Sequence, residues 1–174
     1  AQAEVAEAWS ALEHTAARRL QNGQVHALRL AEVEALHADG TLVVDACRHG
    51  LRAGDTWLPL ARRPVLFTLA RLLAQAWPGD AERNALIAGA FRTREPDETH
   101  RARLRVEVGR LRALAAPFAR IEASPRGFAL RPHGAAAVAV LLPPLDGEQG
   151  ALLALLADGA ACCASALAQA LGAS

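Results

Sequence analysis

Between Thr99 and Ala115 the chain carries Arg101, Arg103, Arg105, Arg110 and Arg112, with Thr99 and His100 just ahead of them. A guanidinium is permanently charged, planar and able to donate two parallel hydrogen bonds. It therefore suits phosphate oxygens and the O6/N7 edge of guanine. On a helical wheel at about 100° per residue, Leu104, Val108, Leu111 and Ala115 share one face, which predicts a helix over 99–115 with that face inward. Ala102, Val106, Gly109 and Ala113 form the opposite ridge. Arg103 and Arg110 flank it on one side, and Arg101, Arg105 and Arg112 on the other. A low ridge of small side chains between two arginine stripes fits a DNA major groove about 12 Å wide. Val106 is then placed for a thymine methyl, Arg103 or Arg110 for guanine, and the other arginines for phosphates. Glu107 stands four residues after Arg103 and three before Arg110, so it is also spaced to pair with either. The plain alternative is a solvated, salt-bridged helix face that meets no ligand.

No other constellation is as specific. The sequence lacks GxGxxG, P-loop, GxSxG and HExxH patterns. His14, His26, His37, His49, His100 and His133 are scattered without ligand spacing. Cys47 and His49 are two apart on an expected strand, which sets both side chains on one face without further ligands. Cys47, Cys162 and Cys163 match neither a disulfide framework nor a metal motif, and read as buried thiols in a reducing cytoplasm. No catalytic residue, metal or cofactor is expected. His100 reads as a phosphate contact or as a neighbour of the helix N-cap.

The bulk composition points the same way. All 19 basic residues are arginine, and the formal charge is only +1. Yet ten arginines lie between Arg92 and Arg131 against Glu95, Asp97, Glu98, Glu107 and Glu122, or +5 for that segment and −4 for the remainder. A positive block in a near-neutral chain implies one anionic partner met by one face. Aromatics are 4% with no tyrosine, which argues against a stacking platform for single strands. No apolar run approaches the ~20 residues of a membrane span, and no signal-peptide pattern is read, so the chain is expected in a bacterial cytoplasm with the nucleoid.

Elements that would position the arginines follow from periodicity. Residues 2–20 and 24–38 read as amphipathic helices, with Asn22-Gly23 as the C-cap between them. From Leu42 the period falls to two, giving short strands at 42–45, 50–53 and 56–60 with a turn at Ala53-Gly54-Asp55. Helices are expected over 63–77, opened by Pro64, and over 81–90. Ile121–Ala123 and Gly127–Leu130 form a hairpin around Ser124-Pro125-Arg126-Gly127. Ala136–Leu142 is β-like, and helices are read over 146–156 and 165–171.

The order strands, three helices, hairpin resembles the OmpR/PhoB-type winged-helix domain of bacterial transcriptional regulators over residues 41–132. The resemblance is carried by RRPVLFTLARLLAQAW, ERNALIAGAF, RARLRVEVGRLRAL and ARIEASPRGFALRP. It implies an α+β, mainly helical fold: a winged helix-turn-helix preceded by a small antiparallel sheet and flanked by N- and C-terminal helices. It also implies that helix 99–115 enters the major groove and that Arg126, before Gly127-Phe128, reaches the adjacent minor groove. Val106, Arg110 and Arg112 match family positions, whereas Glu107 and Gly109 depart from the usual basic or histidine residues. Residues 1–38 are expected as a helical hairpin. Residues 136–174 are expected as a partial second helix-turn-helix or a helical cap. Either flank could support a homodimer. The expected partner is double-stranded DNA, and no membrane. The alternative is a protein-interaction module whose DNA face is unused. Arginines left as a continuous positive face would favour DNA, and arginines neutralised by intramolecular acids would favour docking.

Overall fold

A computed structural model of the chain describes residues 13–134 and 137–145. It opens with a β-hairpin, β1 (Ala17–Gln21) and β2 (Gln24–Leu28), where helices were expected. The local turn chemistry allows this, and pairing of β1 with the distant segment 140–142 selects it. Gln21 pairs with Gln24, which leaves Asn22-Gly23 as a two-residue loop, and both loop residues have positive φ (51° and 78°). Asn-Gly is the dipeptide that best tolerates this mirror-image turn, whose twist matches that of the flanking strands. The same dipeptide also serves as a helix C-cap, the use expected from the helical reading of residues 2–20. Only α1 (Leu30–Ala38) survives from the second expected helix.

Three strands follow: β3 (Leu42–Asp45), β4 (Gly50–Ala53) and β5 (Thr56–Pro59), joined as antiparallel neighbours. Then come α2 (Pro64–Ala76), β6 (Asp80–Glu82), α3 (Arg83–Phe91) and α4 (Glu98–Ala115). The chain continues through the hairpin β7 (Ala119–Ala123) and β8 (Gly127–Pro132), and then β9 (Val138–Leu142). The larger sheet has the order β2-β1-β9-β3-β4-β5, and the smaller has the order β6-β8-β7. β9 lies between β1 and β3, antiparallel to the first and parallel to the second.

The expected mainly helical winged helix-turn-helix is therefore overturned. The described residues are 31% strand, and combine four helices with a six-stranded mixed sheet and a three-stranded antiparallel one. Residues 1–12 and 146–174, on which the remaining terminal helices and the second helix-turn-helix were read, lie outside the described residues.

The centre of the larger sheet is covered on both faces. Leu42, Val44, Val138 and Val140 point into a core shared with α2, α3 and α4. Val43, Ala139 and Leu141 point the other way, against Leu36 of α1 and against Ala17 and Leu28 of the hairpin. Strands buried on both faces read as continuous apolar runs, as LVV and VAVLL do. Asp45 ends β3 in a buried position, where its Oδ1 accepts hydrogen bonds from the backbone N–H of Cys47 (2.8 Å) and Arg48 (2.9 Å). Residues 46–49 are thus a turn, and His49 has φ 54° with its ring edge-on to Phe67. Cys47 and His49 do not share a strand face as expected.

On the smaller sheet, Asp80–Glu82 was expected to lie at the loop and start of a helix. It instead pairs with β8, setting Glu82 opposite Gly127. A Cβ at Gly127 would lie 2.1 Å from the carbonyl oxygen of Ala81, so only glycine permits this approach. The contact ties the tip of the β7–β8 hairpin to the start of α3, and the Arg83 N–H donates to the Arg126 carbonyl at 3.0 Å.

Candidate nucleic-acid interface

Helix α4 begins on Asp97. Its carboxylate accepts from the backbone N–H of His100 at 2.8 Å, satisfying one of the donors a helix start leaves free. That backbone hydrogen bond, with the His100 ring beside it, holds the Asp97 carboxyl below its ordinary range. The His100 Nδ1 also lies 2.6 Å from Asp97 Oδ1, and its ring tilts against Phe91. His100 is thus engaged as a cap partner, while Thr99 is exposed in the same turn.

Leu104, Val108, Leu111 and Ala115 are buried, the same four residues that the wheel turned inward. Their burial fixes the rotation of the helix and hence the direction of every arginine on it. The ridge of Ala102, Val106, Gly109 and Ala113 faces out, with Val106 53% exposed, a large fraction for a valine. Nothing lies within 4 Å of where a Gly109 Cβ would be. Gly109→Ala is therefore expected to stabilise the fold by about 1 kcal/mol in denaturant unfolding, through helix propensity alone. The same substitution should weaken duplex binding, because the added methyl stands on the ridge that must approach base edges. A stabilised variant with unchanged affinity would place Gly109 outside the interface.

The two arginine stripes have different surroundings. On one side, the Arg103 guanidinium carbon sits 4.4 Å from the Phe91 ring centroid, a cation–π contact, and Arg110 pairs with Glu107 at 2.9 Å. On the other side, Arg101 and Arg105 both bind Glu98, at 3.3 and 2.9 Å. Arg112 leans onto the hairpin, where its Nε donates to the Ile121 carbonyl at 2.6 Å and its guanidinium carbon lies 5.6 Å from the Phe128 ring centroid.

This second stripe faces a cleft of 910 Å³ between α4, the start of α3 and the β7–β8 hairpin. Arg83, Arg101, Arg105, Arg112 and Arg126 line it, together with Glu82 and Glu98. Arg126 pairs with Glu82, which raises its pKa above the ordinary guanidinium value, chiefly through that hydrogen bond. Glu82 is the N-cap residue of α3, but its side chain makes no capping bond and turns to Arg126 instead.

The predicted positions thus divide. Arg101, Arg105, Arg112 and Arg126 come together around one cleft. Val106 stands on the open ridge beside it. Arg103 and Arg110 lie across the ridge, and Thr99 and His100 lie at the helix start. Sequence reasoning missed Arg83 and the two cleft glutamates. The run E-R-N at 82–84 offered no periodic signal, because β6 pairs with a strand more than forty residues away.

Burial, aided by the neighbouring Asp45 carboxylate, pushes the Cys47 thiol up to about 12, so almost no thiolate exists at neutral pH. Among the described residues no group of three or more His, Cys, Asp or Glu is placed to hold a metal ion. Among the same residues no helix is long and apolar enough to cross a membrane. No family model, curated protein or solved structure matches the chain.

Proposed function

We propose that the chain binds double-stranded DNA sequence-specifically, as a bacterial transcriptional regulator does, with α4 in the major groove and the β7–β8 hairpin on the adjacent minor groove. One observation carries this reading: arginines from α3, α4 and the hairpin converge on a single cleft beside an exposed ridge of small residues. The ridge lets the helix backbone approach base edges, and the flanking guanidiniums then reach phosphates on either side. The reading keeps the DNA-contact logic of the OmpR/PhoB-type resemblance without its mainly helical architecture. Arg83, Arg101, Arg103, Arg105, Arg110, Arg112 and Arg126 outnumber Glu82, Glu98 and Glu107, so the face stays net positive with every pair formed.

A second reading is supported by the pairs themselves. Arg101, Arg105, Arg110 and Arg126 each bind a carboxylate of the same chain, the pattern expected of a docking module whose DNA face is unused. The pairs of Arg101, Arg105 and Arg126 are solvent-exposed on both sides, and such pairs hold weakly because water screens them and long side chains lose entropy in forming them. A phosphate can therefore replace the carboxylate, which favours DNA.

Selection from a random duplex pool, followed by titration of the enriched site at several salt concentrations, tests the proposal. The expected outcome is an enriched site bound with steep salt dependence. Arg110→Ala should lose discrimination between sites, and Arg101→Ala should weaken all sequences alike and flatten the salt slope by about one unit. No enrichment, with affinity indifferent to salt, would leave the docking reading.

A further inference from the structure

We infer that the arginine cleft is a phosphate site which the protein masks with its own carboxylates, and that Glu98 and Glu82 stand where phosphate oxygens bind. The assignment of that phosphate to the backbone of duplex DNA rests on the function proposed above.

The geometry carries the masking. Glu98 spans two turns of α4, meeting Arg101 with one oxygen and Arg105 with the other. Glu82 holds Arg126 from the far wall, across 44 residues of sequence. Both carboxylates and all three guanidiniums line the same cleft. A carboxylate presents two acceptor oxygens to guanidinium forks much as a phosphodiester does, so each glutamate occupies donors that a phosphate would use. Both glutamate side chains are more than half exposed, at 72% and 57%, so burial does not hold them in place. Glu82 also leaves the α3 cap position unserved in order to reach Arg126. Arg83 and Arg112 complete the positive lining, and Arg112 is already anchored on the Ile121 carbonyl.

Masking has a physical consequence. A ligand that takes these same donors must displace a carboxylate before it binds, so isolated anions and stray phosphates bind more weakly than they would to the unmasked cleft. A duplex that also fills the Val106–Gly109 ridge gains enough from the second contact to open the cleft. The glutamates thus set a threshold that discriminates docked DNA from incidental contact.

The test uses Glu98→Gln and Glu82→Gln, which keep shape and remove charge, with Glu34→Gln on α1 as a control of equal charge change. Two probes are titrated: the selected duplex at several salt concentrations, and inorganic phosphate at constant ionic strength followed by the arginine Nε–H resonances. Each cleft variant is expected to bind duplex about threefold to tenfold more tightly than wild type, with a salt slope steeper by up to about one unit. Phosphate should shift the Arg101, Arg105 and Arg126 resonances at lower concentration in the variants, and Glu34→Gln should match wild type throughout. If the cleft variants bind both probes as wild type does, the masking is overturned while the DNA reading stands. If no protein binds duplex but phosphate still moves those resonances more readily in the variants, the masked phosphate site stands and the DNA reading falls.

Discussion

Replacing Arg101, Arg105 and Arg126 together by alanine is expected to lower affinity for duplex DNA about a hundredfold or more at ~50 mM salt. The three side chains come from two elements but face one cleft, and each can hold a backbone phosphate. Losing three phosphate contacts should reduce the slope of log affinity against log salt by about 2.7, so the gap to wild type should narrow about fortyfold between 50 and 200 mM salt. All three guanidiniums pair only with exposed glutamates, so the variant should unfold close to the wild-type midpoint. This makes the cleft set a cleaner test than one containing Arg103, whose guanidinium packs over Phe91 and whose loss would also loosen α4 from α3. Fluorescence anisotropy at four salt concentrations reads both quantities. A folded triple variant with wild-type affinity and slope would remove the cleft from any DNA interface.

Gly127→Ala should damage both fold and binding through one contact. Its Cβ would fall 2.1 Å from the Ala81 carbonyl oxygen and 2.8 Å from the Arg83 nitrogen, and both are backbone atoms that cannot swing aside. Strand β8 must then move away from β6, breaking the pairing of Glu82 with Gly127 and the Arg83 to Arg126 hydrogen bond. Overpacking of this kind costs about 3 kcal/mol, read as a lower denaturant midpoint. The hairpin tip carries Arg126, so the surviving folded protein should also bind duplex less tightly, with the salt slope reduced by about one unit. Gly134, with open space around it, offers the contrast: alanine there strains a positive φ but leaves the cleft untouched, so DNA affinity should be unchanged. Equal stability of Gly127→Ala and wild type would mean that β6 and β8 are not held this closely.

How much of this was legible beforehand varied with the range of the interaction responsible. The inward face of α4 was readable because helical periodicity is set by residues three and four apart, and Leu104, Val108, Leu111 and Ala115 repeat it cleanly. The β7–β8 hairpin was readable from its Ser-Pro-Arg-Gly turn. The N-terminal hairpin was not, because Asn22-Gly23 suits both a helix end and a two-residue strand turn. Only pairing of β1 with β9, more than a hundred residues away, shows which use prevails. Strand β6 is three residues long and too short to carry a period.

The arginine helix itself was therefore determined by sequence: its extent, its buried face, and the two stripes on either side of a small-residue ridge. Tertiary structure decided what each stripe meets. It set Arg103 on Phe91, brought Arg126 to the same cleft as Arg101 and Arg105, and gave Arg126 its partner Glu82, whereas Glu98 meets Arg101 and Arg105 along the same helix. The difference is physical. A helix face follows from hydrogen bonds four residues apart, whereas the company an arginine keeps depends on β6, β8 and α3, which close on one another only when the whole core is packed.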